Sequence, residues 1–308
     1  MKYQVKDIIG VNPIIAAPFD KYGEIDEQGF SNIISYLNSI GVNGATLFGV
    51  ASEFAKFNDY ERDLLADIYL NQSEVNFYKA LSVTDHSTEN AVKRAKKYEQ
   101  LGADALMLLP PFFLNPSQAA VEKHIQEVLE SVSIPVMLQY APNETGFLIT
   151  PSKMAQWSEI YPNAVFKIEC NPPTEYTQEF LSYAPDAVVL NGYAGLYMLD
   201  MLDIGGKGVM PGCSFSEIYV EIYRLWINQE KDKARELHGR LLKYITQWMT
   251  HCEYVIQVEK TILNERGILK SDYCRKPNYP LNNDDMKIIA KFMNEFNLTP
   301  IKGRGGYG

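Results

Sequence analysis

The segment AVFKIEC, residues 164–170, has the composition of a short buried strand with a lysine at its centre. Phe166 and Ile168 are apolar, whereas the charge of Lys167 is costly to bury unless it is paired or neutralised. Seven similar apolar runs recur along the chain, and an amphipathic stretch follows each of them. They are GVNPIIAAPF (10–19), GVNGATLFG (41–49), NFYKALSVT (76–84), ADALMLLPP (103–111), PVMLQYA (135–141), AVVLNGY (187–193) and GGKGVMP (205–211).

Near-continuous apolar strands that alternate with helices are typical of a parallel sheet covered on both faces. Eight such strands at intervals of roughly 20–35 residues fit a (β/α)8 TIM barrel of the α/β class. A doubly wound sheet is the competing fold, but no G-x-G-x-x-G opens a helix after a strand. One helix is expected to begin at Ser87 or Thr88 as its N-cap and to stop at Gly102.

The sequence changes character after the eighth strand, and three regions are predicted. Residues 1–215 would form the barrel, and residues 216–300 a C-terminal helical extension, with a long helical stretch followed by another near 283–296. The glycine-rich end, residues 301–308, is expected to be a disordered tail.

The composition of the chain argues against several classes of binding partner. The net charge of −9 and the pI near 5.1 argue against nucleic acid, because no basic stripe could neutralise phosphates. The four cysteines are widely spaced, as expected for free thiols in a reducing cytoplasm. Because no apolar run approaches the length of a membrane span and no signal peptide is visible, we expect a cytoplasmic protein without a membrane partner. The histidines lack paired ligands, and neither a metal nor a cofactor is predicted.

Polar residues at the carboxyl ends of the strands are the functional candidates, because active sites of such barrels lie there. Lys167 and Glu169 are two residues apart and share one face of a regular strand. Burial disfavours the charged form of an amine, and a neutral amine attacks carbonyl groups to form a Schiff base. The alternative is a structural lysine paired with Glu169.

Six motifs occur in order along the chain: APFDKYGEID (17–26), GVASEFAKFNDYER (49–62), PPFFLNPSQ (110–118), QYAPNETG (139–146), FKIE (166–169) and GGKGVMPG (205–212). In these motifs the chain resembles the dihydrodipicolinate synthase / N-acetylneuraminate lyase family of class I, Schiff-base-forming aldolases and dehydratases. The resemblance covers almost the whole chain and implies that Lys167 is the Schiff-base lysine.

The resemblance also implies a relay of hydroxyl groups that is missing here. Where the family's synthases have two hydroxyl residues after the second strand, this chain has Val50 and Ala51, followed by Ser52. Phe113 takes the place of the tyrosine that a neighbouring subunit supplies. Gln139 takes the place of the proton-shuttling tyrosine of the fifth strand.

Tyr140 follows Gln139, and it could enter the site only through a loop adjustment, because strand alternation turns it the other way. We keep it as a candidate catalytic residue with Lys167, Glu169 and Gln139. Glu144 replaces an arginine that holds the second substrate's carboxylate in synthases, so its charge disfavours dihydrodipicolinate synthesis. Glu169 becomes the local choice of acid and base.

The substrate-binding candidates are Phe113, Glu144, Met210 after the eighth strand, and the 50–52 turn, whose backbone N–H groups can hold a carboxylate. The expected activity is that of a Schiff-base-forming lyase on a small-molecule 2-oxo acid, of the 2-keto-3-deoxy-sugar-acid dehydratase or aldolase type. Alternatives are a pyruvate aldolase like 4-hydroxy-tetrahydrodipicolinate synthase or N-acetylneuraminate lyase, and a non-catalytic barrel that binds an oxo acid. The resemblance further implies a homo-oligomer, a tetramer or a dimer.

Overall fold

Eight parallel strands form one sheet in the computed structural model, which describes residues 3–298 and residue 300. The predicted tail at 301–308 lies outside the described residues. Every strand residue except Lys79 is buried, as expected when helices cover the sheet. The strands are β1 (Gly10–Val11), β2 (Gly44–Leu47), β3 (Tyr78–Ser82), β4 (Ala105–Leu108), β5 (Val136–Tyr140), β6 (Ala164–Ile168), β7 (Val189–Asn191) and β8 (Gly208–Val209).

The strand order is β1-β8-β7-β6-β5-β4-β3-β2, so each new strand joins the edge left by its predecessor and the last joins the first. The N–H group of Asn43, just before β2, donates to the carbonyl of Val11 in β1 at 2.9 Å, which brings the two ends of the sheet together. The predicted (β/α)8 barrel is confirmed. Each of the eight apolar runs contains one strand.

Twelve helices accompany the strands in the described part of the chain. Ser87 caps the third helix and accepts a hydrogen bond from the N–H of Asn90, and Gly102 follows its end at φ +92°. The predicted start and stop of this helix are confirmed. The helices are α1 (Glu27–Ile40), α2 (Asp59–Leu70), α3 (Thr88–Gln100), α4 (Gln118–Ser131), α5 (Pro142–Thr145), α6 (Pro151–Ile160), α7 (Pro173–Tyr183), α8 (Met198–Asp203), α9 (Ser216–Ile227), α10 (Lys231–Trp248), α11 (Cys252–Glu265) and α12 (Asn283–Glu295).

The chain divides into two compact units. The first unit contains residues 43–46, residues 78–211 and the segment before Pro13, and it holds most of the sheet. The second unit contains residues 13–42, residues 47–77 and the chain from Gly212. No described helix is long and apolar enough to cross a membrane.

Aromatic side chains pack the C-terminal helices of the second unit. The ring of Phe292 in α12 lies 4.9 Å from that of Phe215, 5.0 Å from that of Tyr244 and 5.0 Å from that of Trp248. The contacts are edge-to-face, the arrangement in which the positive edge of one ring meets the negative face of another. One ring from α12 therefore ties together the start of α9 and the end of α10.

A buried ion cluster surrounds Glu53 in the second unit. One oxygen of Glu53 pairs with Lys260 at 2.9 Å, and the other pairs with Lys56 at 3.1 Å. The second oxygen also accepts the backbone N–H of Arg275 at 3.0 Å. These three partners compensate the buried charge of the Glu53 carboxylate, which gives Glu53 a structural role in this unit.

A second buried carboxyl, Glu259, lies beside the turn at 212–214 of the same unit. One of its oxygens accepts the N–H of Ser214 at 2.8 Å, and the other has no hydrogen-bond partner among the described residues. Complete burial raises the pKa of Glu259 to about 7, against which the Ser214 hydrogen bond acts. A Cβ atom at Gly212 would lie 2.2 Å from this carboxyl group, so a larger residue at 212 would displace the buried Glu259 side chain.

Candidate active site

Lys167 lies in the middle of β6, on the face of the sheet opposite to the helices. The ring of Phe166 contacts that of Phe180 in α7 at 4.8 Å, so residue 166 faces the helix layer. Successive side chains of a strand alternate, and Lys167 therefore points the other way. Only 3% of Lys167 is exposed. The strand thus places a lysine amine in a protected position.

Glu169 lies at the centre of a cluster of hydrogen-bonded side chains that includes Lys167, and it is their common acceptor. Its Oε1 atom lies 3.0 Å from the Nζ of Lys167 and accepts the backbone N–H of Tyr193 at 3.1 Å. Its Oε2 atom accepts the side-chain N–H of Gln139. Gln139 reaches it because β5 and β6 pair with Gln139 directly opposite Lys167. The predicted neighbours Lys167, Glu169 and Gln139 are brought together by this register.

Gln139 keeps one acceptor unused. The residue is buried, and its Oε1 atom has no hydrogen-bond partner among the described residues. A buried carbonyl oxygen without a partner is costly. The geometry of the amide, whose N–H is held by Glu169, leaves this oxygen free to accept a hydrogen bond from a bound molecule.

Tyr193 joins the cluster, although the sequence reasoning did not single it out. It follows β7 with a left-handed φ of +47°, which is uncommon for a residue other than glycine. A Cβ atom at Gly192 would lie 2.1 Å from the side chain of Glu169, so a larger residue there would displace the Glu169 side chain. The available signal was a Gly-Tyr pair at the carboxyl end of a predicted barrel strand.

The phenol of Tyr193 reaches a second carboxyl group, that of Glu144. Its hydroxyl donates to the two Glu144 oxygens at 3.2 and 3.3 Å and accepts the side-chain N–H of Asn143 at 3.0 Å. Burial raises the pKa of Glu144, and the charge of Glu169 raises it further, while Tyr193 and Lys167 act in the opposite direction. Burial likewise raises the pKa of Tyr193.

Tyr140 lies away from this cluster. Its ring stacks on that of Tyr176 in α7 at a centroid distance of 4.7 Å, on the helix side of the sheet. Cys170, which follows Glu169, is buried, and burial raises its pKa to about 11. The thiol therefore stays protonated at neutral pH and does not compete with Lys167 as a nucleophile.

Met210 and Phe113, two of the substrate-binding candidates, differ in their exposure. Met210 is buried just beyond β8, and its N–H donates to the carbonyl of Asn191 at 2.8 Å. Phe113 is 66% exposed, and its ring lies 5.8 Å from that of His86. Neither residue has a hydrogen-bonding side chain, so any contact with a substrate would be apolar.

The predicted 50–52 turn belongs to the second unit and forms a short 3₁₀ turn after β2. The hydroxyl of Ser52 donates to the carbonyl of Ile15 at 2.5 Å and accepts the N–H of Gly49 at 3.1 Å. Its single hydroxyl hydrogen is thus already used within the protein. Within residues 3–298 and residue 300, no three His, Cys, Asp or Glu side chains meet in a way that would hold a metal ion.

A family model and a known relative each match nearly the whole chain. A family model described as the dihydrodipicolinate synthetase family matches residues 7–295. The chain is 28% identical over 306 residues to the 4-hydroxy-tetrahydrodipicolinate synthase of Methanopyrus kandleri, covering 98% of this chain and 100% of that relative.

Solved structures share the fold. The dihydrodipicolinate synthase of Aquifex aeolicus superposes with a TM-score of 0.87 at 20% identity, covering 96% of this chain and 100% of that one. YagE, a prophage protein from E. coli K12 solved in complex with pyruvate, superposes with a TM-score of 0.85 at 21% identity, covering 94% and 99%. At these identities the structures support the barrel alone.

Proposed function

Because the chain belongs to the dihydrodipicolinate synthetase family, whose model matches residues 7–295, we propose that it is a Schiff-base-forming, aldolase-type lyase acting on a 2-oxo acid. The observation that carries the proposal is the enclosed amine of Lys167 with a carboxylate oxygen of Glu169 at 3.0 Å. A nucleophile next to a base is the arrangement that covalent catalysis needs.

The first steps use only these two residues. Glu169 takes a proton from the ammonium group of Lys167, and the freed amine nitrogen attacks C2 of the oxo acid. A C–N bond forms, a proton moves from the nitrogen to the former carbonyl oxygen to give a hydroxyl, and Glu169 returns its proton to that hydroxyl so that it leaves as water. The product is a Schiff base between Lys167 and the substrate. Gln139 holds Glu169 in place throughout through its side-chain N–H.

Two outcomes then diverge from the Schiff base. In a dehydration, Glu169 removes a proton from C3, and the hydroxyl on C4 leaves with a proton as water. In a retro-aldol cleavage, the C4 hydroxyl loses its proton and the C3–C4 bond breaks, which releases an aldehyde. A 2-keto-3-deoxy-sugar acid can undergo either reaction. We favour dehydration, because Gln139 replaces the proton-shuttling tyrosine and its amide cannot exchange a proton at neutral pH, while the carboxylate of Glu169 can take the C3 proton.

Trapping and product analysis test this function. Borohydride added with pyruvate should reduce a Schiff base, and peptide mass spectrometry should find the adduct on Lys167. A panel of 2-keto-3-deoxy-sugar acids should then yield a dehydrated oxo acid. Cleavage to pyruvate would identify an aldolase of the N-acetylneuraminate lyase type, and condensation of pyruvate with aspartate semialdehyde a synthase. An adduct without turnover would indicate a binding protein, and the absence of any adduct would refute the Schiff base.

Replacing Glu169 with glutamine should lower kcat by on the order of 100-fold, because the variant loses its general base. The amide oxygen can accept from Lys167 and Tyr193, and its NH2 group can donate to the Oε1 of Gln139 once that amide turns over, so the site should retain its shape. The pyruvate adduct should still form, but more slowly. Steady-state kinetics and the rate of borohydride trapping measure the two effects.

The matched control for Glu169→Gln is Glu175→Gln. Glu175 is an exposed glutamate in the first turn of α7, and its replacement makes the same chemical change outside the cluster. Its kcat should match that of the unmodified protein. Unchanged kcat in Glu169→Gln would exclude Glu169 as the base.

We also propose that the protein is a cytoplasmic homo-oligomer, a tetramer or a dimer. Leu114 is 86% exposed and Phe113 is 66% exposed, in adjacent positions of the loop after β4. Large apolar side chains exposed side by side are typical of contact surfaces. Sedimentation analysis should give a mass above that of one 35.0 kDa chain, and a stable monomer would contradict the proposal.

A further inference from the structure

Tyr193 links two carboxyl groups that the sequence keeps 25 positions apart. Its backbone N–H donates to Glu169, and its phenol donates to Glu144. Tyr193 is therefore hydrogen-bonded to both carboxyl groups, through its backbone to one and through its phenol to the other. Asn143 fixes the phenol by donating to its oxygen at 3.0 Å. Glu144 is thus a held component of the cluster.

The two carboxyl groups have different environments. Glu169 accepts three hydrogen bonds, one of them from the Lys167 ammonium group, which suits a carboxylate that acts as a base. Glu144 accepts a side-chain hydrogen bond from the Tyr193 phenol, and partial burial together with the Glu169 charge raises its pKa. Paired carboxyl groups whose environments differ in this way divide the roles of base and acid.

The proposed dehydration needs a proton donor at the C4 oxygen, and few groups near Lys167 can supply one. The Gln139 amide does not release protons at neutral pH. Tyr140 faces α7, and burial raises the pKa values of Cys170 and Tyr193. Of the described side chains in this cluster, the carboxyl group of Glu144 is the one left that can carry a proton and give it up.

We propose that Glu144, positioned by Tyr193, is the general acid that protonates the leaving C4 hydroxyl. The inference rests on the proposed function. Glu169 takes the C3 proton, the C3–C4 double bond forms, the C4–O bond breaks, and the Glu144 proton leaves with the oxygen as water. Glu144 is open to solvent and regains its proton there, while Glu169 loses the proton that it took. The net reaction is the loss of one water.

The variant Glu144→Gln tests this role. Its kcat for dehydration should fall by on the order of 100-fold while KM stays nearly constant, because the group acts on the leaving hydroxyl. The wild-type rate should fall as pH rises through the raised pKa of Glu144, and this descending limb should be absent from the variant. A rise in KM with unchanged kcat would instead assign Glu144 to substrate binding and overturn the proposal.

The variant Tyr193→Phe gives a second, independent readout. The Tyr193 hydrogen bond lowers the pKa of Glu144, so its removal should move the descending limb to higher pH. A limb that stays in place or moves to lower pH would overturn the proposal, as would an enzyme that only cleaves its substrate. Glu175→Gln again serves as the control with an unchanged profile.

Borohydride trapping separates failure of this inference from failure of the proposed function. Glu144 takes no part in forming the Schiff base, so Glu144→Gln should form the pyruvate adduct as fast as the unmodified protein does. A normal adduct with an unchanged descending limb refutes the acid role alone. The absence of the adduct from the unmodified protein refutes the proposed function and with it the inference.

Discussion

Replacing Lys167 with arginine abolishes turnover of 2-oxo acids, with an expected loss in kcat on the order of 10⁴-fold or more. A guanidinium group stays protonated and cannot form a Schiff base, whereas it can still pair with Glu169. The variant therefore keeps the charge of the cluster and removes only the nucleophile. Assay of substrate loss, together with borohydride trapping, measures the effect.

The control for Lys167→Arg is Lys153→Arg. Lys153 pairs with Glu122 at 3.2 Å on the helix layer of the same unit, so the same exchange there should leave activity and trapping unchanged. The far-ultraviolet circular dichroism of both variants should match that of the parent. Substantial turnover by Lys167→Arg, or a borohydride adduct on another lysine, would disprove the assignment of Lys167.

Replacing Glu259 with glutamine should remove a change of about 3 kcal/mol that the free energy of unfolding of the parent undergoes as pH rises. The carboxyl group has its ordinary pKa of 4.5 when unfolded and a pKa of about 7 in the folded chain. Between these pH values the unfolded state releases a proton that the folded state retains. The free energy of unfolding of the parent therefore falls as pH rises from about 4.5 to about 7, and the stabilising contribution is lost above that range.

Denaturant unfolding of Glu259→Gln and its parent at several pH values measures this difference. The amide retains an oxygen for the N–H of Ser214 and carries no charge, so its curve should be flatter by about 3 kcal/mol over that window. Glu236→Gln, a change in an exposed residue of α10, should follow the parent. Parallel curves for Glu259→Gln and the parent would exclude the buried carboxyl as the cause.

The sequence predicted the order and nature of the strands because both faces of this sheet are buried. Each strand is then a short apolar run, and the runs stand out between amphipathic helices. The lengths of the strands were less predictable. The run at 10–19 contains a strand of only two residues, Gly10–Val11, because hydrophobicity continues past the point where pairing with β8 ends. Pairing depends on a distant partner that no local pattern describes.

The same contrast applies to the candidate site. Lys167 and Glu169 could be placed together from strand periodicity alone, since they are two residues apart. Tyr193 could not, because it reaches Glu169 through a left-handed backbone turn that propensity does not predict. Tyr140 shows the limit of motif comparison, since its type fits the family's hydroxyl relay while its strand position turns it toward Tyr176.

The convergence of three donors on Glu169 has an evolutionary consequence. Positions 139, 167 and 193 lie in three separate segments, yet each gives a hydrogen bond to one carboxyl group. Substitutions at groups that share a partner are not additive, so the effect of each change depends on the other two. A different residue at 139 would change the hydrogen bonding of Glu169 and with it the effect of a change at 193. A change of reaction type is therefore expected to need linked substitutions, and mutant libraries should vary these positions jointly.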